Sequence, residues 1–174
     1  MAKENSAEIG FEKEIWKVTN TLRGSMDAGE YKHIILGLIF LKYLSDKFEE
    51  KYNKLKAEGY GYEEDIDEYM AEGIFFVPPQ ARWKIIASKA HSPENGKTID
   101  NAMLEIEKKN NQLKGILPKT FARPELDKKK LGSVIDLFTN IKLSDHGDKQ
   151  DILGRTYEYC LSMETKVFTT HAGV

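Results

Sequence analysis

Apolar residues recur at helical spacing through a long stretch near the start of the chain, "DAGEYKHIILGLIFLKYLSDKFEEKY" at residues 27–52. Steps of three and four residues mark one face of a helix. The face comprises Tyr31, Ile34, Leu38, Leu41, Leu44, Phe48, Tyr52 and Leu55, and Ile35, Ile39, Phe40 and Tyr43 add apolar surface outside it. A helix that is apolar on most sides is covered on most sides. The pattern therefore predicts the central helix of a helical bundle, about 45 Å long at 1.5 Å per residue.

Weaker patterns predict further helices and loops along the rest of the chain. The run "IFFVPP" predicts an edge strand or an extended segment, because proline cannot donate a hydrogen bond to a sheet, and "HSPENGK" predicts a surface turn. Asp27, Thr98 and Asp127 stand where a side chain can cap the first turn of a helix. The predicted helices cover about residues 8–23, 62–72, 99–113 and 149–162, with one that runs from Asp127 to about Thr139 and a short one that begins near Pro79. The predicted fold class is mainly α: a helical bundle around a long central helix, with at most one or two short strands.

The apolar centre of the long helix is too short to cross a membrane. Residues 34–44 number eleven and include Lys42, whereas a bilayer span needs about 20 apolar residues. The N-terminus also lacks the apolar core of a signal peptide. Cys160 is the only cysteine, so no internal disulfide can form, which suits a reducing compartment. We expect a cytoplasmic protein without a membrane partner, and the length of 174 residues suits one domain.

Charge is distributed unevenly between the two halves of the chain. The net charge is −2 overall, but residues 1–72 carry 16 acidic and 10 basic side chains, whereas residues 73–174 carry 12 acidic and 16 basic ones. Residues 108–130 include eight basic side chains and only two acidic ones, Glu125 and Asp127, which gives a net charge of +6. Such a region favours either an anionic partner or a solvated, lysine-rich surface. The eight residues are Lys108, Lys109, Lys114, Lys119, Arg123, Lys128, Lys129 and Lys130.

Patterns typical of catalysis are weak in this sequence. The tetrapeptide "NGKT" at 95–98 resembles the end of a phosphate-binding loop, but His91 occupies the position of that loop's first glycine, so a surface turn is the favoured interpretation. None of the four histidines has a second His or Cys at zinc-ligand spacing. Cys160 falls on the apolar face of a predicted helix, where cysteine usually acts as a small buried hydrophobe. We therefore predict no catalytic, cofactor-binding or metal-binding residue.

Four stretches, in the order in which they occur, resemble one known family. The stretches are "LRGSMDAGEYKHIILGLIFLKYLSDKFE" at 22–49, "FFVPPQARW" at 75–83, "IDNAMLEIEKKNNQLKGILP" at 99–118 and "DILGRTYEYCLS" at 151–162. The ordered set resembles the N-terminal helical domain of the modification (M) subunit of type I restriction–modification systems. The similarity covers about residues 8–163. Residues 22–24 with 27–44, and residues 151–159, are its most specific pieces.

The resemblance implies that the full-length subunit is an adenine-N6 DNA methyltransferase that uses S-adenosylmethionine. Residues 1–163 would form its helical N-terminal domain, and residues 164–174 a divergent tail where the catalytic domain, expected to be absent here, would begin. The family's Asn-Pro-Pro-aromatic motif has no match, because Pro78 and Pro79 follow Val77 rather than Asn. We expect no cofactor in this chain. The chain alone is not expected to be an enzyme, although it resembles part of one.

The resemblance also implies the partners of such a domain: the specificity (S) subunit, a second M subunit, the restriction (R) subunit and double-stranded DNA. We expect a helical DNA-clamp and subunit-assembly domain whose DNA contacts come from the eight basic residues between 108 and 130. For Lys109 the competing role is a pair with Glu105, one helical turn back. Two alternatives remain open for the whole chain: a generic helical protein-interaction module, and a fragment of an otherwise active methyltransferase.

Overall fold

The computed structural model describes residue 20 and residues 28–141 of the chain. Between residues 28 and 141 lie five α-helices, α1 Ala28–Glu58, α2 Ile66–Met70, α3 Trp83–Ser88, α4 Asn95–Lys109 and α5 Lys128–Thr139, and the short 3-10 turns Pro79–Ala81 and Asn111–Leu113. No β-strand occurs between residues 28 and 141, so the mainly α prediction is confirmed. Within the same range, no helix combines the length and the apolar character that crossing a membrane requires. Apart from residue 20, the helix expected at 8–23 lies outside the described residues, as do the helix expected at 149–162, the Asp27 cap, Cys160 and the tail at 164–174.

The predicted central helix is α1, and its apolar middle is covered by the rest of the bundle. Ile35, Leu38, Ile39 and Leu41 are completely buried. Helices α3 and α5 pack directly against α1, and α4 packs against α3 and α5. One continuous hydrophobic core therefore joins the long helix to the shorter ones.

The extended segment at residues 74–78 is held by a side chain rather than by a second strand. Asn110, directly after α4, accepts a hydrogen bond from the Phe76 N–H group (3.0 Å) and donates one to the Phe76 carbonyl (2.8 Å). The Phe76 ring packs edge-on against Phe48 of α1 at 5.2 Å between centroids. Of the two predicted alternatives, the extended segment is confirmed and the edge strand is wrong, because the amide of Asn110 satisfies both backbone groups that a neighbouring strand would otherwise bind.

Helix α4 begins four residues earlier than the sequence pattern predicts. The tetrapeptide at 95–98, expected in a surface turn and ending in the predicted cap Thr98, forms the first turn of the helix. Thr98 does not cap it, since its hydroxyl donates back to the Glu94 carbonyl. The buried Asn95 amide instead donates to the carbonyls of Ala90 (2.8 Å) and Lys128 (2.9 Å). The start of α4 is therefore stabilised by one residue that precedes the helix in sequence and by another that follows it.

The remaining boundaries follow the local signals more closely. Asp127 caps α5 as predicted, accepting hydrogen bonds from the N–H groups of Lys129 and Lys130. Pro79 begins a 3-10 turn, and the α-helix itself begins at Trp83. The acidic helix expected at 62–72 is shorter, Ile66–Met70, with Asp65 as its cap. Local capping chemistry therefore predicts where α5 begins, but α2 is shorter than the pattern indicates.

A buried ammonium group ties α1 to the end of α5. Lys42 is 4% exposed, and its Nζ donates to both carboxylate oxygens of Asp46, at 2.8 and 2.9 Å. The same nitrogen donates to the carbonyl of Ile141, two residues past α5. It also lies 5.8 Å from the centre of the Trp83 ring. Lys42, the charged residue inside the apolar run, thus connects α1 to the segment after α5 through hydrogen bonds.

Candidate nucleic-acid interface

The segment that follows the second 3-10 turn, residues 115–127, runs back along α4, and we call it the strap. At the C-terminal end of α4, Glu107 accepts a hydrogen bond from the Leu117 N–H group at 2.9 Å. In the middle, Asp100 accepts hydrogen bonds from the N–H groups of Phe121 (2.9 Å) and Ala122 (3.0 Å). At the N-terminal end, Asn95 binds the carbonyl of Lys128. The strap is therefore antiparallel to α4, and its two ends lie at opposite ends of the helix.

Close approach between the strap and α4 requires a glycine. A Cβ atom on Gly96 would lie 2.1 Å from the Phe121 carbonyl oxygen and 2.7 Å from the carbonyl carbon. Real contacts of a Cβ atom are never that short, so only glycine lets the strap backbone lie against the first turn of α4. The three polar residues of α4 and this glycine together fix the path of the strap.

The first basic cluster lies at the C-terminal end of α4, and it comprises Lys108, Lys109, Lys114 and Lys119. Lys108 Nζ pairs with Glu105 at 3.0 Å, so the competing pair that the sequence suggested for Lys109 is wrong. Lys119 Nζ lies 2.7 Å from the buried carboxylate of Glu107. Lys109 and Lys114 are exposed and form no ion pair within residues 28–141. These two residues carry the available positive charge of the cluster.

Glu107 shows how this end of the strap is held. Burial acts to raise the pKa of its carboxyl group, but hydrogen bonds from Lys119 and from the N–H groups of Leu117 and Gly115 outweigh burial and hold the pKa below its ordinary value. The ionised carboxylate is thus the form that the fold stabilises. Lys119 serves as its counterion.

The second basic cluster lies at the N-terminal ends of α4 and α5, and it comprises Arg123, Lys128, Lys129 and Lys130. Lys128 Nζ donates to the carbonyls of Arg123 and Leu126, the latter at 2.8 Å, so it closes the end of the strap. Burial lowers the pKa of the Lys128 ammonium group. Lys129 is exposed and Lys130 half-buried. The Asp127 cap, whose pKa is lowered by the hydrogen bonds from Lys130 and Lys129, offsets the cost of positive charge in a first helical turn.

The ends of α4 are about 21 Å apart, since its fifteen residues rise 1.5 Å each. The eight basic residues are therefore not one patch. The structure separates them into two clusters at opposite ends of α4. The ammonium groups of Lys119 and Lys128 contact protein groups, whereas Lys109, Lys114 and Lys129 are exposed and Arg123 and Lys130 are half-buried. Between residues 28 and 141, no three His, Cys, Asp or Glu side chains lie close enough together to hold a metal ion.

Comparison with known proteins assigns this fold to a family. The family described as the HsdM N-terminal domain matches residues 11–138, most of the chain. This chain belongs to the HsdM N-terminal domain family. It is 34% identical over 173 residues to the type I restriction enzyme MjaIX methylase subunit of Methanocaldococcus jannaschii, an alignment that covers 90% of this chain and 31% of that relative. It is 25% identical over 194 residues to the MpnII methylase subunit of Mycoplasma pneumoniae, with coverage of 92% and 36%.

The predicted resemblance to the N-terminal domain of a methylase subunit is thereby confirmed. The chain spans about a third of the length of the curated relatives that it matches. Their names describe whole methylase subunits of type I restriction enzymes. The helical bundle between residues 28 and 141 and the family match at 11–138 describe largely the same part of the chain.

Two lysines that the sequence reasoning missed extend the second cluster of this HsdM N-terminal domain. Lys97 is exposed in the first turn of α4, and Lys89 is exposed at the end of α3. Lys89 is next to Ala90, whose carbonyl binds Asn95 at the start of α4. Placing residues 91–97 in a surface turn concealed the position of Lys97. No signal in the sequence brings Lys89 close to residues 128–130, which lie about 40 positions away.

Proposed function

We propose that this HsdM N-terminal domain is a non-catalytic DNA-contact and subunit-assembly domain of a type I restriction–modification adenine-N6 methyltransferase. One observation carries the DNA contact: two basic clusters lie at opposite ends of α4, a helix about 21 Å long. The family assignment supplies the type I methylase context.

The spacing of the clusters suits the phosphate backbone of a duplex. DNA rises about 3.4 Å per nucleotide of each strand, so about 21 Å corresponds to about six base pairs. Lys109 and Lys114 at one end, and Lys97, Lys129 and Lys130 at the other, would each bind phosphate oxygens through ammonium groups. Such contacts release counterions, so they supply affinity that depends on salt and not on sequence.

The bundle suits a structural role in an assembly because the clusters are fixed to one core. The strap is tied to α4 by Glu107, Asp100 and Asn95, and α4 packs against α3 and α5, which in turn pack against α1. Phosphate contacts at either end are thus transmitted to the same helical framework. We propose that the partners of this domain in the type I complex are the S subunit, a second M subunit, the R subunit and double-stranded DNA. The full-length subunit would use S-adenosylmethionine as its cofactor, and the complex would be cytoplasmic.

Fluorescence anisotropy with a short labelled duplex at graded salt tests the DNA contact. The variants Lys109→Gln with Lys114→Gln, and Lys129→Gln with Lys130→Gln, each remove two positive charges. We expect each pair to weaken binding at low salt and to reduce the slope of log affinity against log salt by about 1.8. The matched control is Lys54→Gln with Lys56→Gln, which removes two exposed charges at the far end of α1.

Three results would contradict parts of this proposal. If all three double variants bind alike, the basic clusters do not contact DNA. If the wild-type chain is not retained on DNA even at low salt, the generic protein-interaction module becomes the better description. If titration calorimetry detects S-adenosylmethionine binding by the chain itself, its non-catalytic assignment is wrong.

A further inference from the structure

The loop between α1 and α2 displays two aromatic side chains to solvent. Tyr60 is 74% exposed and Tyr62 50% exposed, and their ring centroids lie 6.3 Å apart at an angle of 35°. Tyrosine is enriched at the centres of protein interfaces, because it offers a large apolar face and a polar tip. The pair lies at the far end of α1 and belongs to neither basic cluster.

The backbone of the loop that carries the two rings has a defined conformation. Gly59 and Gly61 have φ values of +80° and +81°, in the left-handed region that favours glycine. The Gly59 N–H group binds the Lys56 carbonyl at 3.2 Å, which closes the end of α1. On the other side, the Asp65 N–H group binds the Tyr62 carbonyl at 3.0 Å, and the Tyr69 hydroxyl donates to the Glu63 carbonyl at 2.6 Å. A surface ordered before binding loses less entropy when a partner docks.

The charge around the loop selects the kind of partner. Between residues 57 and 81 there are seven acidic side chains and no lysine or arginine: Glu58, Glu63, Glu64, Asp65, Asp67, Glu68 and Glu72. Lys51 binds Glu72 at 2.6 Å and Arg82 binds Glu64 at 2.8 Å, which leaves most of this negative charge for solvent or a partner. A nucleic acid would be repelled here, whereas a cationic protein surface would be attracted.

The neighbouring part of the molecule already contains the chemistry that such a partner would use. The Arg82 guanidinium group lies 4.5 Å from the Phe48 ring centre and 5.2 Å from that of Tyr52. The same group donates to both carboxylate oxygens of Glu64, at 2.8 and 3.1 Å. An arginine thus stacks on aromatic rings and pairs with a carboxylate at the base of the loop.

We propose that the loop at residues 59–65 is a docking site for an arginine-bearing surface of a protein partner, with guanidinium groups stacking on Tyr60 and Tyr62 and pairing with the adjacent carboxylates. This surface is separate from the clusters proposed to contact DNA, so either assignment can fail without the other. Arginine suits the site better than lysine, because its planar group stacks on a ring while its edge donates hydrogen bonds.

Nuclear magnetic resonance of the tyrosine ring signals tests the proposal with two capped peptides of equal length and charge, one alternating glycine with arginine and the other glycine with lysine. We expect the signals of Tyr60 and Tyr62 to shift, and the arginine peptide to bind about fivefold more tightly. Tyr60→Leu with Tyr62→Leu keeps apolar surface but should remove the preference for arginine. The control Ile116→Ser alters another exposed apolar residue and should leave binding unchanged.

Four outcomes overturn the proposal. Equal binding of the two peptides would mean that charge alone acts, and unchanged binding to the double tyrosine variant would place the site elsewhere. Loss of DNA retention in Tyr60→Ser with Tyr62→Ser would assign the loop to nucleic acid. Self-association seen by sedimentation in the wild type and abolished in that variant would make a second copy of this chain the occupant.

Discussion

The Lys119 ammonium group lies 2.7 Å from the carboxylate of Glu107, a residue whose side chain is almost completely buried. One of the cations that the sequence offered as a DNA contact is therefore engaged by the protein itself. The pair joins the strap to α4 at the end where Lys109 and Lys114 remain exposed. Lys119 supports the first cluster by holding the strap in place.

Glu107 should contribute more to stability than its neighbour Glu105. Glu107→Ala removes the carboxylate that accepts a hydrogen bond from the Leu117 N–H group. Because this N–H group would then be buried without an acceptor, we expect the free energy of unfolding to fall by about 1–3 kcal/mol. Glu105→Ala removes a more exposed pair with Lys108 and should cost less than about 1 kcal/mol. Urea unfolding of both variants measures the difference. Equal losses would contradict the role of Glu107 as the anchor of the strap.

Acid should weaken the same anchor. The folded-state pKa of Glu107 lies below its ordinary value of 4.5, so its contribution to stability is fully present above that value and is lost as the pH falls through the folded pKa. Between about pH 7 and about pH 3, the stability difference between wild type and Glu107→Gln should therefore stay constant until the pH approaches the ordinary value of 4.5 and then narrow below it. Urea unfolding of both proteins across this range measures the difference. A difference that grows on acidification would show that the folded-state pKa of Glu107 is raised rather than lowered.

Gly96→Ala should displace the strap, although alanine favours a helix. The added Cβ would meet the Phe121 carbonyl oxygen at 2.1 Å, and overpacking of this kind costs about 1–3 kcal/mol. Asn101→Ala on an exposed position of α4 is the control and should change stability by less than about 0.5 kcal/mol. Thermal unfolding compares them. A stabilised Gly96→Ala variant would show that the strap can move away without cost.

Replacing the buried Lys42 should be among the most damaging single changes. Lys42→Met removes the counterion of Asp46 and the donor to the Ile141 carbonyl, and loss of one partner of a buried pair costs about 3–5 kcal/mol. Adding Asp46→Leu should recover part of the loss, because the carboxylate that lost its Lys42 partner is then removed as well. A double-mutant cycle by urea unfolding measures the coupling. Additive losses would indicate that the two side chains act independently.

Much of the candidate site lies beyond the reach of sequence reasoning. The excess of positive charge between residues 108 and 130 is visible in composition. The division into two clusters is not, because it depends on the return of the strap along α4. The contacts of the Lys119 and Lys128 ammonium groups depend on Glu107 and on the carbonyls of Arg123 and Leu126. Lys89 joins the second cluster only through the packing of α3 on α4 and α5.

The sequence by itself determined the long helix α1, its covered apolar middle and the Asp127 cap of α5. Those features depend on side-chain periodicity and on hydrogen bonds within one helical turn, so their signals lie within a few residues of each other. Only the tertiary structure decided where α4 begins, how residues 74–78 satisfy their backbone groups and which lysines pair with protein groups. In each case the deciding partner is distant in sequence: Lys128 for Asn95, Asn110 for Phe76 and Glu107 for Lys119. A hydrogen bond or ion pair to such a partner forms only after the chain has folded, so no local pattern predicts it.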